Sequence, residues 1–434
     1  MKKIYLVLLL ASFFIGNAQI NWKRCAATAN APTWSGTGNT ERGMGALNDK
    51  MYVVTRNVAT KIKVINGLDG TDLPEVSDYT GVTGGTFTLN DVEMSTNGSI
   101  LACNMTTATN TSAFKVYRWD TESGVPSVYI NFLNAGDTAN NLRLGDNFSV
   151  TGDISGNAVI FAAGKVGATA VYKVVRWIVT GGVLGSPTII SIPTLTVSST
   201  VISVTPLTIS ANPDFLLKAS GNTLFKYNAD GTITTESVAN TVIPLSANDT
   251  KYFEVGTKKY LASYLYGASN EYVKLVDVTA GLAMASTVAV SPILGTVSNG
   301  NGSGGLGVKT VPDLVDGIAN TVTVYALGCN NGISGTTLVF EGATLGNKDF
   351  SPTEARNAAK IFPNPATNEF HIVIDTAIEK DAQAYVYDIL GRQVKTSKID
   401  TNIQAVNIQD LNAGQYLIKV NNGKNSTTIK LLKN

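Results

Sequence analysis

The sequence predicts an all-β protein, with a six-bladed β-propeller-like body followed by a small C-terminal β-sandwich. Short alternating segments recur at a near-constant spacing, almost none shows the 3.6-residue periodicity of a helix, and the pattern changes after Gly342. Charged residues make up only 15% of the chain, below the roughly 25% of an average soluble protein. Thr, Ser, Asn and Gly take the polar positions instead, which suits exposed β-surfaces and turns.

The repeated unit is clearest in FKVYRWDTESG, residues 114–124, an alternating strand that ends in a polar turn closed by glycine. YKVVRWIVTGG, residues 172–182, repeats its lysine, valine, arginine and tryptophan in the same order. Looser copies are IKVINGLDG (62–70), LFKYNADG (224–231) and YVKLVDVTAG (272–281). The turn glycines are therefore 49 to 58 residues apart, a step typical of a repeat architecture.

Each unit has the pattern of four short strands joined by Gly/Asn turns. The second strands of the six units are predicted to start near Met51, Ile100, Val159, Phe215, Tyr260 and Val322. Six four-stranded units of this length match the blades of a propeller, where each sheet covers its faces by stacking on two neighbours. A β-sandwich array and a β-solenoid stay open as alternatives.

The last unit predicts how such a ring would close. Its second and third strands fall at 320–330 and 335–342, and no clear fourth strand follows. INWKRCAATA, residues 20–29, is a strand-like segment left over at the other end of the body. We therefore expect it to supply the outer strand of the sixth blade.

Residues 1–18 have the pattern of a secretory signal peptide: two lysines, a short apolar run, and small residues before a cleavage site between Ala18 and Gln19. The apolar run is too short to span a bilayer and nothing like it follows, so we expect no transmembrane segment in the mature chain. Loss of Lys2 and Lys3 from 33 basic against 32 acidic residues leaves the chain near neutral. A near-neutral chain has no basic field for nucleic acid, so none is expected as a partner.

The predicted organisation is a signal peptide (1–18), a propeller-like body (19–345), a polar linker (346–360) and a C-terminal domain (361–434). The last contains IFPNPA, YVYDILGRQV, LNAGQYLIKV and a terminal TTIKLLKN, in that order. Together they resemble the type A C-terminal sorting domain of the type IX secretion system of Bacteroidetes. The residues that match its motifs are Pro363, Asn364, Pro365, Gly391, Arg392, Gly414 and Tyr416.

The resemblance implies export through the type IX machinery, to be secreted or attached to the outer cell surface, with a cut in the linker. RLGDNFSVTGD (143–153) and KVYRWD in the body resemble a propeller-like domain of unknown function in secreted Bacteroidetes proteins. That second resemblance brings no catalytic residues.

The chain has a single histidine, His371, in the C-terminal domain. The body therefore has no histidine for a catalytic triad or a metal site, and we interpret His371 as a solvated or half-buried strand residue. A carboxylate pair for glycoside hydrolysis needs only Asp or Glu across a cleft. Its candidates are Asp91, Glu93, Asp146, Asp153 and Asp214; turn-capping is the favoured role for them.

Other candidate sites have simpler structural explanations. Asp69, Asp72, Glu75 and Asp230 are candidates for calcium but lack the spacing of a calcium loop, which favours ordinary turns. Trp119 and Trp177, with Arg118 and Arg176, are candidates to stack on a sugar ring, but their recurrence favours packing between blades. Residues 298–307 are glycine-rich and are interpreted as a flexible loop. Cys25, Cys103 and Cys329 are predicted to be free thiols.

These observations favour a non-enzymatic propeller that binds an extracellular glycan or protein at one face of the ring, with no cofactor. A polysaccharide-acting enzyme with paired carboxylates and a structural or adhesion protein stay open as alternatives.

Overall fold

The computed structural model describes residues 19–25, 30–167, 169, 171–192, 195, 200–267, 270–300, 302–312, 319–339, 359–374, 377–389, 391–422 and 425–434. The predicted signal peptide and nearly all of the predicted linker lie outside these residues. The chain divides into two compact units, 1–343 and 344–434. The described residues contain strands and one short 3-10 helix, Leu282–Met284. No helix among them is long and apolar enough to cross a membrane.

The first unit contains six antiparallel sheets, numbered here in chain order. Sheet one is β2 (Met44–Leu47), β3 (Lys50–Thr55), β4 (Lys61–Asn66) and β5 (Asp72–Leu73). Sheet two is β6 (Phe87–Met94), β7 (Ile100–Met105), β8 (Phe114–Trp119) and β9 (Ser127–Phe132). Sheet three is β10 (Leu142–Arg143), β11 (Phe148–Gly152), β12 (Ala158–Val166), β13 (Tyr172–Thr180), β14 (Val183–Leu184) and β15 (Thr188–Ile192).

The remaining three sheets follow the same order. Sheet four is β16 (Ile202–Pro206), β17 (Phe215–Ala219), β18 (Leu224–Tyr227) and β19 (Ile233–Val238). Sheet five is β20 (Ala247–Val255), β21 (Lys258–Leu265), β22 (Tyr272–Asp277) and β23 (Ser286–Val290). Sheet six is β24 (Gly304–Pro312), β25 (Ala319–Gly328), β26 (Gly332–Val339) and the N-terminal strand β1 (Gln19–Cys25).

The pairing of β1 confirms the predicted fourth strand of the last unit. β1 runs antiparallel to β26, from Gln19 opposite Thr337 to Cys25 opposite Gly332. The predicted second strands are also confirmed, because each begins within three residues of its expected start. The second strands could be located because each one directly precedes a third strand, and the third strands carry the repeated alternating signature with its turn glycine.

The sheets pack face against face in sequence order. Six hydrophobic clusters lie among the described residues of this unit, one between each pair of consecutive sheets and one between sheets six and one. We call β2, β6, β11, β16, β20 and β24 the first strands, although the short strand β10 precedes β11 in sheet three. The first strands contact one another in that order, and β24 also contacts β2. The polar side chains of these strands are therefore brought toward one another.

The prediction of a flexible loop at 298–307 is wrong for its second half, because Gly304 begins β24. A Cβ on Gly305 would lie 2.6 Å from Met44 Cγ, and one on Gly307 would lie 2.2 Å from Ala46 Cβ. These glycines let the first strand of sheet six lie directly against the first strand of sheet one. The sequence signal was taken for flexibility, whereas its cause is close packing.

The second unit contains two antiparallel sheets. One is formed by β27 (Lys360–Phe362), β28 (Glu369–Val373) and β31 (Ile403–Asn407). The other is formed by β29 (Gln383–Asp388), β30 (Gln393–Lys398), β32 (Gly414–Asn422) and β33 (Asn425–Lys433). A single hydrophobic cluster, including Phe370, Val386 and Ile418, contains residues of both sheets.

Candidate functional site

Four charged side chains of two first strands form what we call the inner cluster: Asp91 and Glu93 on β6, and Asp249 and Lys251 on β20. Residues two apart in a strand lie on the same face, so each strand contributes a pair. Sheets two and five are not neighbours in the order of first-strand contacts. The inner cluster therefore joins two sheets that are separated by two others on either side.

Asp91 and Asp249 have matching roles on their strands. Phe148 N–H of the next sheet donates to Asp91 Oδ2 at 3.0 Å, and Leu306 N–H donates to Asp249 Oδ2 at 2.9 Å. The other oxygen of each carboxylate accepts the following backbone N–H, at 2.8 Å for Asp91 and 2.9 Å for Asp249. Each carboxylate thus ties its strand to the first strand of the next sheet.

Glu93 and Lys251 form the direct link between the two halves of the inner cluster, as a hydrogen-bonded ion pair. The side chains are 9% and 21% exposed, respectively. Burial alone would lower the pKa of Lys251, but the neighbouring Glu93 and Asp249 reverse this and raise it. Lys251 is therefore held as an ammonium ion.

The two carboxylates on β6, Asp91 and Glu93, have raised pKa values. Burial raises the pKa of Asp91 to about 7, and the charge of Asp249 adds to the rise. Burial also raises the pKa of Glu93 despite the opposing effect of Lys251, with Asp91 and Asp249 contributing. The Asp91 and Glu93 carboxyl groups thus hold a proton at a higher pH than an exposed carboxylate does.

A second group, which we call the arginine cluster, contains Arg42 before β2, Arg56 after β3, Arg143 at the end of β10 and Asp146 before β11. Arg143 Nε and Nη2 donate to the two oxygens of Asp146, at 2.5 and 2.7 Å. Arg42 Nη2 lies 3.9 Å from Asp146 Oδ1. Since Arg42 precedes sheet one and Asp146 precedes β11 of sheet three, the Arg42 side chain extends past the intervening sheet two.

Arg42 has donors without a protein acceptor. Its side chain is only 9% exposed, yet neither Nε nor Nη1 has a hydrogen-bond partner among the described residues. Arg56 lies nearby, with its guanidinium carbon 3.6 Å from the centre of the Phe87 ring and Nη1 donating to Asn90 Oδ1 at 3.0 Å. Burial and the charge of Arg42 lower the pKa of Arg56 to about 10. The arginine cluster is therefore a partly desolvated cationic site with unused donors.

The structure brings only some of the predicted carboxylates together. Asp91 and Glu93 lie in the inner cluster and Asp146 in the arginine cluster, so the turn-capping interpretation is wrong for these three. Asp153 does cap a turn, accepting Ser155 N–H at 2.7 Å, while Asp214 lies 3.6 Å from Lys226 Nζ. Asp91, Glu93 and Asp146 can be buried because ion pairs and backbone N–H donors compensate the free energy that their carboxylates lose on leaving water.

The calcium candidates have ordinary local partners. Asp69 and Asp230 cap turns, accepting the N–H of Thr71 and Thr232, respectively, each at 2.9 Å. Asp72 pairs with Arg24 at 2.7 Å, and Glu75 pairs with two lysines. Among the described residues, no group of three or more His, Cys, Asp or Glu side chains is arranged to hold a metal ion.

The repeated tryptophans pack inside the body. Trp119 is fully buried and donates from Nε1 to Asp78 O at 2.8 Å, and Trp177 is 2% exposed against Phe114 and Phe132. Packing between sheets, the favoured interpretation, is therefore correct. Arg118 pairs with Asp120 at 2.6 Å, whereas Arg176 is buried and extends toward sheet four.

Other predicted residues are placed as follows. His371 is a partly buried strand residue, as predicted, whose ring stacks on Phe362 with 5.2 Å between centres. Cys103 and Cys329 are buried free thiols, as predicted, and Cys25 is buried.

Sequence reasoning missed Asp249 and Lys251. Glu93 and Lys251 are 158 residues apart, and the same offset separates Asp91 from Asp249 and Phe148 from Leu306. The signal was an Asn-Asp dipeptide, in LNDVEM and again in ANDTKY. It marks a similarity between sheets two and five that the third-strand signature does not reveal.

Comparison with known proteins places both units. A family described as a secretion system C-terminal sorting domain matches residues 360–434. A family described as a domain of unknown function, DUF4623, matches residues 23–285, more than half of the chain. The chain belongs to the DUF4623 family. Both resemblances expected from the sequence are thereby confirmed.

The solved structures that this DUF4623 protein matches include one of the same family, which has a similar fold, and others that are less similar. A DUF4623 family protein from Bacteroides eggerthii is 19% identical, with a TM-score of 0.58, covering 76% of this chain and 77% of that chain. A GH93 α-L-arabinofuranosidase of Fusarium graminearum with arabinobiose is 10% identical, with a TM-score of 0.47, covering 74% and 98%, respectively. PorZ, a surface component of the type IX secretion system of Porphyromonas gingivalis, is 11% identical, with a TM-score of 0.36, covering 90% and 51%. No curated protein matches.

The sorting domain indicates that this DUF4623 protein is exported by the type IX system to the cell surface or the extracellular space. Its motif residue Asn364 bonds to the last strand, donating from Nδ2 to Lys430 O at 2.7 Å and accepting from Leu432 N–H at 2.9 Å. Arg392 is 74% exposed and bonds to Asp388. Tyr416 donates its hydroxyl to Asn412 O at 2.8 Å.

Proposed function

We propose that this protein is an exported, non-enzymatic, closed six-bladed β-propeller that binds an acidic extracellular glycan at the arginine cluster. In this proposal residues 1–18 are a cleaved signal peptide, 19–345 the propeller, 346–360 a linker and 361–434 a β-sandwich sorting domain. The cyclic order of first-strand contacts and the pairing of β1 with β26 support the closed ring. The inner cluster would then cross the central channel, and the arginine cluster would lie at the channel mouth.

The observation that carries the proposal is the environment of Arg42. A guanidinium group that loses water without gaining acceptors is unfavourable, because buried donors normally have partners. Arg42 retains two unpaired donor atoms, Nε and Nη1, although its side chain is nine-tenths buried. A ligand with an anionic group would supply the missing acceptors.

The electrostatics of the arginine cluster favour an anion over a neutral ligand. Arg42 and Arg56 are close enough for the charge of one to lower the pKa of the other. Asp146 and Glu41 compensate part of this charge, and Arg143 already occupies both oxygens of Asp146. An added carboxylate or sulfate would relieve the repulsion between Arg42 and Arg56 and form charge-assisted hydrogen bonds.

An acidic glycan meets these requirements in the place to which the protein is exported. Uronic acid units carry the carboxylate, and their hydroxyls fit a polar surrounding that includes Asn90. A protein with exposed Asp or Glu side chains is the other candidate ligand, and it is an outcome that the test distinguishes.

Isothermal titration of the mature chain with a trigalacturonate and with neutral maltotriose tests this proposal. We expect the acidic sugar to bind, the neutral sugar to bind at least tenfold more weakly, and Arg42→Gln to lose at least tenfold in affinity for the acidic sugar. The matched control is Arg118→Gln, which removes an arginine that pairs with Asp120 elsewhere on sheet two. Equal binding by Arg42→Gln and the unaltered chain would contradict the proposal.

The raised pKa of Asp91, about 7, favours a second candidate function, glycoside hydrolysis. A carboxyl group that keeps its proton near neutral pH is suited to act as a general acid. In the structure both Asp91 oxygens accept backbone N–H groups and Glu93 pairs with Lys251, which makes a tethering role the better account. Turnover of aryl glycosides by the chain, abolished in Asp91→Asn, would support the enzyme instead.

A further inference from the structure

A cavity of about 910 Å³ lies between sheets three and four, with Arg176 and the outer strand β15 on one side. Asn212, Asp214, Asn228 and Asp230, from turns of sheet four, line the other side. Arg176, Asp214 and Asp230 were separate candidates in the sequence. The structure brings all three to one cavity, and the proposed glycan site at the arginine cluster does not include them.

Arg176 is built into the wall of this cavity. It is 6% exposed, and it crosses from β13 to sheet four, where Nη1 donates to Ala229 O at 3.1 Å and Nη2 to Asn212 Oδ1 at 3.2 Å. Nε has no acceptor. In the part of the chain that the structure describes, no carboxylate forms an ion pair with this guanidinium. Two hydrogen bonds thus fix the position of the Arg176 side chain, and its Nε–H group remains as a donor for a ligand.

The opposite wall supplies acceptors. Asp214 Oδ2 lies 3.6 Å from Lys226 Nζ, and the Asp214 side chain is 41% exposed. Asp230 uses Oδ1 to accept Thr232 N–H at 2.9 Å. Both carboxylates therefore retain capacity for further hydrogen bonds.

The mixture of charges selects the class of ligand. Two carboxylates oppose an anion, whereas Arg176, with Lys226 behind Asp214, opposes a cation. A neutral molecule with several hydroxyl groups can donate to the carboxylates and accept from Arg176 Nε at once. Ile190, whose side chain belongs to the hydrophobic cluster between sheets three and four, also lines the cavity, and its apolar surface suits the C–H face of a sugar.

We propose that the cavity between sheets three and four binds a neutral saccharide unit, through Arg176 on one wall and Asp214 and Asp230 on the other. This site is separate from the proposed acidic glycan site, so the failure of either leaves the other standing. Peptides lack the closely spaced hydroxyl groups that Asp214 and Asp230 would bind. Binding of a peptide to this cavity would therefore contradict the proposal.

The test measures saturation-transfer difference NMR of the mature chain with maltotriose, xylotriose and mannotriose at 10 mM, with a Gly-Ser-Gly tripeptide as the comparison. We expect at least one trisaccharide to give a signal, and Asp214→Ala to lose at least tenfold in affinity for it. Asp69→Ala, which removes an exposed turn aspartate of sheet one, is the matched control and should bind as the unaltered chain does. A melting temperature within two degrees of the unaltered chain confirms that Asp214→Ala is folded.

Asp230→Ala serves as the second variant if Asp214→Ala fails to fold, because Asp230 lies in an exposed turn. The proposal is overturned if no trisaccharide binds, if the tripeptide binds equally well, or if a folded variant of either aspartate keeps full affinity. Arg42→Gln should leave the binding of the neutral sugar unchanged, which separates this site from the arginine cluster.

Discussion

Glu93 and Lys251 form an ion pair that links sheet two to sheet five, 158 residues apart in the chain. Each sits beside an aspartate that ties its own strand to the next sheet. The aspartate hydrogen bonds join consecutive sheets, whereas the ion pair joins two sheets that are not consecutive. Hydrophobic clusters hold consecutive sheets together, whereas this pair joins sheets that share no hydrophobic cluster.

Removing one partner of the pair should cost more stability than removing both. Glu93→Gln alone leaves the Lys251 ammonium ion with little access to water, and we expect it to lower the free energy of unfolding by about 3 kcal/mol. Lys251→Met alone should cost less, because the Glu93 carboxyl group can take up a proton. The double variant should recover at least half of this loss. Urea denaturation followed by tryptophan fluorescence reports on the body, because all four tryptophans lie there.

The matched control is the pair Lys50 and Glu122, whose side chains are 44% and 33% exposed. Glu122→Gln should cost less than about 1 kcal/mol, as is usual for an exposed pair. If Glu93→Gln were no more destabilising than Glu122→Gln, the link between sheets two and five would not contribute to stability.

The raised carboxylate pKa values predict that the body loses stability as the pH rises from 5 to 8. Burial raises the pKa of Asp91 and of Glu271 to about 7 each, and that of Glu93 is raised as well. An acid that binds its proton more tightly when folded stabilises the fold fully below its unfolded pKa, and this stability is lost as the pH rises through the folded pKa. Lys218, whose pKa burial lowers to about 8, changes stability only above this window.

Thermal melts at constant ionic strength between pH 5 and pH 8 measure this effect. The melting temperature should fall across the window, and Asp91→Asn should flatten the fall. Asp153→Asn, at an exposed turn, should not change it. A melting temperature that rises from pH 5 to pH 8 would show that these carboxylates ionise normally in the folded body.

The strands could be predicted from the sequence more accurately than the residues of the candidate site. Third strands carry an alternating pattern and a turn glycine, so their spacing gave the six units and the place of β1. First strands carry buried charge, which interrupts the alternation, and Asp91 was consequently taken for a turn residue. Asp249 and Lys251 were missed because the recurring Asn-Asp dipeptide does not by itself distinguish a tethering aspartate from a capping one.

Glycine was the other source of error. The glycines of 298–307 suggested flexibility, but a Cβ at Gly304 would lie 2.2 Å from Tyr264 Cε1. Only the neighbouring sheet explains this requirement, and the sequence of one segment does not contain its neighbour. Contacts between sheets likewise created the cavity around Arg176, whose residues come from two strands of sheet three and two turns of sheet four.

Removal of β1 should destabilise the whole first unit. Trp22 on β1 donates from Nε1 to Gly67 O of sheet one at 2.7 Å, and Arg24 pairs with Asp72 of the same sheet. β1 therefore connects sheet six to sheet one as well as covering the edge of β26. A chain that begins at Asn30 should melt at a lower temperature and aggregate, because that edge is then unpaired.

The control for this truncation is a chain that begins at Gln19, which retains β1. Trp22→Ala in that chain should cost about 3 kcal/mol. An unchanged melting temperature for the chain that begins at Asn30 would show that β1 is dispensable.

Asn364 should be needed for export because it attaches the start of the sorting domain to its last strand. Its side-chain amide makes two hydrogen bonds to β33, and Asn364→Ala should remove both at a cost of about 1 to 2 kcal/mol. Deletion of 361–434 should trap the protein in the periplasm, and Asn364→Ala should shift it partly in the same direction. Cell fractionation with immunoblotting measures the shift.

The matched control is Asn412→Ala, which replaces an exposed asparagine whose main-chain carbonyl still accepts a hydrogen bond from the Tyr416 hydroxyl. Normal surface levels of Asn364→Ala would mean that the machinery reads this domain without help from the bonds between Asn364 and β33.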